Sequence, residues 1–474
     1  MRRARRGCQR CPHGVHRSHS HDPGVRRVRG PPVLRPRLRA AASLARRRDA
    51  DGGERRAGRA RPGARPGQSS RQVVTGAAEV TGWLASRAVP LDGLDPRGPV
   101  AGLEPLREVL DGVRVVGLGE ATHGTREFFL LKHRLLRFLV EELGFTVLAM
   151  EASVSASEAL DAYVLGGAGE PERLLADLGF WTWRTREMLA VVEWMRAHNR
   201  TAEPKVRFAG IDPQFPAASL RWLRDHLGER AGELLGPLAV LGETRLGVGE
   251  PLDPAIEAAA RGLADEVGAG GPEEAHARTV SQFATLVTRP MRDADGARTA
   301  GAARDQFMAD NVDRLLEDPA AKVAVWAHNG HVAAGHYARL GAPVMGDHLR
   351  QRHGAGYYAL GLLFGQGEFR ARRLRFGRPD VRRPPVRHRV PAAGRPDVAE
   401  SLLAAACPRD HVVDLRLGPR PEAVTRWLGE QQYVRGYGAT AGRFSYKLTF
   451  TPAVLGAAFD GLAYIAHGTC STPL

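Results

Sequence analysis

The amino-acid sequence predicts an α/β fold, in which a mostly parallel sheet carries flanking helices and a helical insertion covers the cleft at the strand ends. Short apolar runs of strand length alternate with segments of helical periodicity, as they do where helices connect parallel strands. Residues 216–300 depart from this alternation. They are rich in Ala, Leu, Glu and Arg and contain no β-branched run, so they are expected to form an insertion of helices.

The elements follow in order from about Val73, where a first helix begins. Helices are also expected at 127–143, ending before Gly144, at 157–165 and at 301–312. Strands are predicted at 113–118, 146–150, 206–211, 322–327, 357–364, 411–417 and 461–466. The segment 378–396 is rich in Pro and Arg and is expected to be a loop.

Nearly all of the excess positive charge lies in one segment. The chain has 474 residues and a formal net charge of +16, yet residues 1–72 alone hold 21 Arg, no Lys and four acidic residues, a net charge of +17. Their composition predicts disorder. Three interpretations stay open: a tail for nucleic acid or an anionic surface, a targeting peptide, or an upstream stretch without a role. If the segment is an upstream stretch without a role, the functional α/β domain comprises residues 73–474.

Several classes of protein are disfavoured by what the chain does not contain. No run approaches the roughly 18 apolar residues of a membrane span. The four cysteines do not form a disulfide framework and suit a reducing, cytoplasmic compartment. The sequence has no G-x-S-x-G elbow, no H-E-x-x-H motif and no Walker A loop, so a serine hydrolase, the usual zinc protease and a P-loop enzyme are not indicated.

Acids and histidines follow the predicted strands at the point where each strand ends. Glu120, His123 and Arg126 follow the first strand, Glu151 the second, Asp212 the third, and His328 and His331 the fourth. Because ligands of open α/β sheets bind outside the carboxyl ends of the strands, we expect these side chains to converge in one cleft.

Two chemistries fit histidines and carboxylates without a protein nucleophile. A neutral histidine can take a proton from water, a carboxylate can orient it, and an Arg or a second His can stabilise an oxyanion. Alternatively, His328, His331 and either Glu120 or Glu151 can hold a metal ion that activates the water. The residue types alone leave both interpretations open.

The motifs around these residues resemble those of the erythromycin esterase family. The resemblance rests on GEATHGTREFF (119–129), MEAS (150–153), GIDPQ (210–214), WAHNGHV (326–332), MGDHLR (345–350) and FDGLAYI (459–465). It runs from about Val74 to the last residue, and the Arg-rich segment lies outside it. The resemblance implies an α/β enzyme that hydrolyses the macrolactone ester of erythromycin-type antibiotics, without a required metal or cofactor, and thereby confers resistance.

The resemblance also implies roles for single residues. His123 would be the general base, with Glu120 and Glu151 in its network and Arg126 as an organiser of the carboxylates. His328 and His331 would complete the cleft, and one of them would stabilise the oxyanion. The expected substrate-binding residues are Arg304, His348, Asp212 and Trp183, although Trp183 could instead simply pack in the core.

The sequence therefore predicts a cytoplasmic hydrolase of carboxylic esters whose partner is a small-molecule ester, a macrolide being the specific expectation. No nucleic-acid partner and no membrane partner are expected. Two alternatives remain: a metal-dependent hydrolase on the same residues, and a ligand-binding relative that keeps the cleft without chemistry.

Overall fold

The computed structural model describes residues 66–335, 341–375 and 378–474. They belong to one compact unit, Ala64–Leu474. The predictions for residues 1–65 lie outside the described residues, so the disorder expected there stays a prediction.

Sixteen α-helices and thirteen strands occur in the described residues. The helices are α1 Pro66–Arg87, α2 Leu106–Val109, α3 Arg126–Leu143, α4 Val154–Val164, α5 Pro171–Asp177, α6 Arg186–His198, α7 Ala217–His226, α8 Ala231–Leu235, α9 Pro254–Val267, α10 Pro272–Thr288, α11 Ala300–Leu315, α12 Asn329–Val332, α13 Met345–His353, α14 Ala399–Ala406, α15 Glu422–Gly429 and α16 Leu455–Ala458. The strands are β1 Val89–Pro90, β2 Val115–Leu118, β3 Val147–Ser153, β4 Arg207–Asp212, β5 Val323–Trp326, β6 Tyr357–Arg375, β7 Arg378–Pro379, β8 Val386–Val390, β9 His411–Asp414, β10 Gln431–Arg435, β11 Thr440–Ala441, β12 Phe450–Val454 and β13 Gly461–Gly468.

A mixed, mostly parallel sheet of eleven strands forms the centre of the unit, which confirms the predicted α/β fold. Its order is β1-β9-β13-β6-β2-β5-β3-β4, and β7, β8 and β11 pair with the long strand β6. The six strands from β13 to β4 are parallel, whereas β9 runs antiparallel to β13, and the edge strand β1 runs antiparallel to β9. The carboxyl ends of β2, β3, β4 and β5 therefore lie side by side.

Alternate residues of the central strands pack on opposite faces of the sheet. Val116 and Leu148 belong to a hydrophobic cluster shared with α3 and α6, whereas Val115 and Val147 belong to a second cluster shared with α1 and α11. This two-residue period is what a sheet covered by helices on both faces requires. Helix α3 ends where it was expected to, because Gly144 takes the left-handed conformation at its C-cap (φ 70°).

The region predicted as an insertion contains α7 to α10 and has a hydrophobic cluster of its own, centred on Leu223, Leu263 and Phe283. Helix α10 also packs on α11, which leads back into the sheet.

The prediction of a loop at 378–396 is wrong for seven of its nineteen residues. Strands β7 and β8 lie in this segment, and β8 pairs antiparallel with residues 367–371 of β6. Pro384 and Pro385 fall between the two strands, and β8 alternates the exposed Arg387 and Arg389 with the buried His388 and Val390. Arginine is compatible with a strand whose outer face meets water, so a composition rich in Pro and Arg did not reveal the pairing.

Candidate active site

His123 lies in the loop between β2 and α3 and is held by two charged residues in series. Its Nδ1 is 2.7 Å from Oε1 of Glu120, and Oε2 of Glu120 accepts a hydrogen bond of 2.7 Å from Nζ of Lys132. Glu120 and Lys132 are fully buried. Burial lowers the pKa of Lys132 to about 8, although Glu120 favours the charged ammonium. The Lys132 ammonium also lies 4.7 Å from the centre of the Trp326 ring, a cation–π distance.

Glu151, at the end of β3, forms the centre of a second network. Its Oε1 accepts from Nη2 of Arg304 at 2.8 Å, and its Oε2 accepts from the backbone N–H of His328 at 2.9 Å. Arg304 also donates to Asp212 at 2.6 Å, so one guanidinium bridges the carboxylates that end β3 and β4. Burial opposes ionisation of Glu151, yet His331, Arg304 and His123 together hold its pKa well below the ordinary value.

His331, in the short helix α12, lies between two carboxylates. Its Nδ1 is 2.6 Å from Oδ1 of Asp305, and its Nε2 is 3.4 Å from Oε1 of Glu151. Burial alone would lower the pKa of His331, but Asp305 and Glu151 raise it to about 10. The contact of 3.0 Å between Nη1 of Arg304 and Nε2 of His331 would be a hydrogen bond only for a neutral ring. Since Arg304 is itself paired with two carboxylates, we assign His331 as an imidazolium at neutral pH.

His328 is the neutral histidine of the cluster. Its Nδ1 accepts a hydrogen bond of 3.0 Å from the backbone N–H of Gly330, capping α12. Its Nε2 is buried and has no hydrogen-bond partner in the described part of the chain. Burial and the neighbouring His123, whose ring centre is 5.2 Å away, lower the pKa of His328 to about 3.

Trp183 fixes the other side of the histidine. Its ring meets the His123 ring edge-on at 5.5 Å, and its Nε1 donates to the backbone carbonyl of Glu151 at 2.9 Å. Trp183 is only 1% exposed, so it positions His123 and does not offer its ring to a ligand in this conformation. The packing interpretation of Trp183 is therefore the one that the geometry favours.

Glycines allow the loop of His123 to pass close to its neighbours. A Cβ on Gly124 would lie 1.8 Å from the carbonyl oxygen of Arg370 in β6, and one on Gly119 would lie 2.1 Å from Oδ1 of Asn329. Asn329 in turn donates its backbone N–H to the carbonyl of Glu120 at 2.9 Å. The loops after β2 and β5 are thus joined by their backbones, which fixes His123 relative to His328.

The structure brings together most of the residues predicted from the sequence, and it places two outside the cluster. Arg126 begins α3, and its half-exposed guanidinium lies 3.6 Å from Glu187, where both residues line a separate cavity between α3 and α6. In the contacts described, Arg126 therefore pairs with Glu187 rather than with Glu120 or Glu151, and its role as an organiser of the carboxylates stays a prediction. His348 lies in α13 and makes no side-chain contact with the cluster among the contacts described.

Sequence reasoning missed two members of the cluster, Lys132 and Asp305. Both were visible as polar residues in helical segments with an apolar periodicity, Lys132 in FFLLKHRLL and Asp305 next to Arg304. A lysine flanked by leucines is more often solvated at the edge of a helix, so the pattern alone did not indicate a buried ion pair.

The carboxylates and histidines of the cluster are engaged with one another rather than arranged around a common point. In the residues that the structure describes, no group of three or more His, Cys, Asp or Glu side chains has the spacing to hold a metal ion. The same part of the chain contains no helix that is both long and apolar enough to cross a bilayer.

The fold and the cluster define an α/β protein with a histidine–carboxylate site at the carboxyl ends of adjacent parallel strands. Comparison with known proteins agrees: the family model described as erythromycin esterase matches residues 140–468. The chain belongs to the erythromycin esterase family.

Individual relatives are distant. Erythromycin esterase type II of Escherichia coli is 33% identical over 132 residues, which are 27% of this chain and 30% of the relative. The putative hydrolase YbfO of Bacillus subtilis (strain 168) is 30% identical over 158 residues, 32% of this chain and 34% of the relative. The chain thus spans about a third of the length of these two curated relatives. Erythromycin esterase type I of Escherichia coli is 29% identical over 288 residues, 52% of this chain and 70% of the relative.

Solved structures show the same fold. A protein of Bacillus cereus superposes with a TM-score of 0.71 at 25% identity, covering 84% of this chain and 99% of the other. A mutant of the erythromycin esterase EreC, in its open conformation, superposes with a TM-score of 0.62 at 20% identity, covering 82% of this chain and 98% of the other.

Proposed function

We propose that the chain is a hydrolase of carboxylic esters in which His123 activates water by general-base catalysis. The single observation that carries the proposal is the contact of 2.7 Å between Nδ1 of His123 and Oε1 of Glu120. A carboxylate acceptor fixes the proton on Nδ1, so the lone pair on Nε2 is free to take a proton from water.

The other two histidines of the cluster are unsuited to this step. His331 already carries a proton on each nitrogen at neutral pH, because the carboxylates beside it raise its pKa to about 10. His328 uses the lone pair of Nδ1 to accept from Gly330, so its neutral ring carries the proton on Nε2 and has no basic nitrogen left. His123 is the histidine whose bonding leaves a lone pair unused.

The cations of the cluster are suited to stabilise negative charge. Attack of water on an ester carbonyl creates a tetrahedral intermediate with an oxyanion, and donors fixed in advance stabilise it best. His331 retains about a fifth of its side-chain surface exposed, and Arg304 about a seventh, so both are partly accessible from solvent. We assign His331 as the principal oxyanion donor and Arg304 as the residue that holds Glu151, Asp212 and His331 in place.

Macrolactones are the specific substrate class that we propose. The support is family membership together with relatives that are named erythromycin esterases. A lactone carbonyl is an ester, so ring opening needs only the activated water and the oxyanion donors already described. Inactivation of a macrolide antibiotic would be the biological consequence.

A metal-dependent hydrolase on the same residues is the alternative. It requires His328, His331 and a carboxylate to turn toward one ion, which would break the bonds of His331 to Asp305 and of His328 to Gly330. The intact pairing favours direct activation of water.

The test is incubation of the full chain with macrolides of different ring size and with simple esters, with and without a chelator. Mass spectrometry would detect the gain of one water. We expect a water adduct that forms equally well in the presence of the chelator. Loss of the adduct on chelation would establish the metal-dependent alternative, and binding without any adduct would establish a ligand-binding protein.

A further inference from the structure

The end of β6 forms a strongly basic hairpin with β7 and β8. We call the basic arm the residues 368–375 and 378–390, which comprise the end of β6 with β7 and β8. They hold nine arginines against two acidic residues, Glu368 and Asp380. The exposed arginines of the arm are Arg373, Arg375, Arg378, Arg382, Arg383, Arg387 and Arg389. The catalytic cluster uses none of them.

The two acids of the arm neutralise little of this charge. Glu368 lies 3.4 Å from Arg387, and Asp380 lies 3.9 Å from Arg383. Arg372 donates to three backbone carbonyls in the loop between β7 and β8, so it supports the fold of the arm. The remaining exposed guanidiniums give the arm a large excess of positive charge.

An apolar turn lies directly against the arm. The turn 443–448 packs on β8 through Tyr446, whose hydroxyl accepts from the N–H of Arg389 at 3.2 Å and donates to its carbonyl at 2.9 Å. Leu448 is 83% exposed and Phe444 is 69% exposed, and within the arm Val381 is 68% exposed. With Leu374, these side chains are half of the exposed large apolar residues in the described part of the chain.

We propose that the basic arm and its apolar turn form a docking surface for an anionic lipid bilayer. Arginines near a bilayer are attracted by anionic headgroups, and aliphatic and aromatic side chains beside them insert at the boundary with the acyl chains. A single-stranded nucleic acid would call for aromatic platforms on which bases stack, whereas three of the four exposed apolar side chains are aliphatic. The surface attaches the protein peripherally, and it revises the expectation of no membrane partner.

The proposal does not depend on the ester hydrolase assignment, since no residue of the arm belongs to the catalytic cluster. Its test uses sedimentation of the full chain with vesicles of phosphatidylcholine, either pure or mixed with phosphatidylglycerol. One triple variant replaces three exposed arginines of the arm: Arg378→Gln, Arg382→Gln and Arg389→Gln. A matched control removes the same charge from the helical insertion: Arg221→Gln, Arg224→Gln and Arg298→Gln. All six arginines are exposed.

We expect binding to the mixed vesicles and little to pure phosphatidylcholine. Each arm arginine should contribute about a fivefold factor to the partition constant, so the arm variant should bind about 100-fold more weakly. The insertion control should bind like the wild type. A second variant, Phe444→Ser with Leu448→Ser, should weaken binding without a change of charge.

Hydrogen exchange locates the contact independently of the Arg-rich segment 1–72, which is present in every variant. Vesicles should slow exchange at 368–375, 378–390 and 443–448. The proposal is overturned if anionic vesicles leave these segments unprotected, or if the arm variant and the insertion control lose affinity equally.

Discussion

Lys132 is the residue whose burial is hardest to explain by packing alone. It is fully buried in α3, and its ammonium touches the carboxylate that orients His123. Charged lysines are almost never fully buried unless they are paired, so we interpret the pair Lys132–Glu120 as the support of His123, the proposed general base. Lys132 acts through Glu120 and is therefore a positioning residue.

Replacing Lys132 with Met should lower kcat about 100-fold, because misplacement of a catalytic group by about 1 Å has a cost of this size. The pH profile provides the more specific readout. Since the pKa of Lys132 is about 8, the wild type should lose activity as pH rises through 8 and the ammonium is neutralised. The Lys132→Met variant should not show this loss of activity above pH 8. Lys322→Met is the matched control, because Lys322 bonds the carbonyl of Leu143 outside the site. If the Lys132→Met variant still loses activity as pH rises through 8, Lys132 is not the group that titrates, and its assignment as a positioning residue is contradicted.

The His331–Asp305 pair makes a prediction about stability. The folded pKa of His331, about 10, lies above its ordinary value of 6.5, so the stability it contributes is fully present below pH 6.5 and is lost as pH rises through 10. Asp305→Asn should therefore destabilise the protein by about 3 kcal/mol at pH 6 and by much less at pH 10.

Thermal unfolding across this pH range measures the effect. Asp313→Asn is the control, because Asp313 pairs with His353 at 2.7 Å near the surface and should contribute less than about 1 kcal/mol. If Asp305→Asn lowers the free energy of unfolding by the same amount at every pH, His331 is neutral in the folded protein.

At the scale of elements, the strand-end loops explain why the residues converge. The positions of Glu120, Glu151, Asp212 and His328 were predictable, because each follows an apolar run and parallel strands end at one edge of a sheet. The contribution of Asp305 was not predictable from the sequence, because α11 reaches His331 only through the packing of helices on the sheet. The length of β6, 19 residues, was not predictable either. The strand is extended by pairing with β8, and the sequence of β6 does not specify that partner.

Gly124→Ala tests whether the loop of His123 depends on close approach to β6. A Cβ would lie 1.8 Å from the carbonyl oxygen of Arg370, so the loop has to move away from the strand. We expect a loss of about 1–3 kcal/mol in the free energy of unfolding together with a lower kcat.

Gly82→Ala in α1 is the matched control for this substitution. Its Cβ would meet no atom within 4 Å, and alanine in a helix should stabilise the protein by about 0.5–1 kcal/mol. Denaturant unfolding of both variants measures the difference. If Gly124→Ala were as stable and as active as the wild type, the loop would not be held by β6.

At the scale of the whole molecule, the last six residues of the sequence join two loops of the site. Thr469 donates its backbone N–H and its hydroxyl to Glu127, each at 2.6 Å, and Ser471 donates its N–H to the carbonyl of Gly124 at 2.9 Å. Thr472 donates its N–H to Glu187 at 3.0 Å. This segment ties the start of α3, next to His123, to the start of α6, next to Trp183.

Deletion of residues 469–474 should therefore lower kcat about tenfold or more while most of the fold remains, because His123 and Trp183 lose their common support. Thr472→Ala keeps the backbone N–H that Glu187 accepts, so it should retain activity. Steady-state kinetics and circular dichroism measure the two effects. Full activity in the deletion variant would show that the sheet alone positions the loops.

The central claim, that His123 is the general base, is tested most directly by the kinetics of His123→Ala on an ester that the wild type hydrolyses. His226→Ala is the control, because His226 is an exposed histidine that stacks on Trp222 in the helical insertion. We expect kcat/KM to fall by about 10²- to 10⁴-fold in His123→Ala, with unchanged thermal unfolding, and to stay at the wild-type value in the control. A His123→Ala enzyme that keeps its kcat would contradict the account.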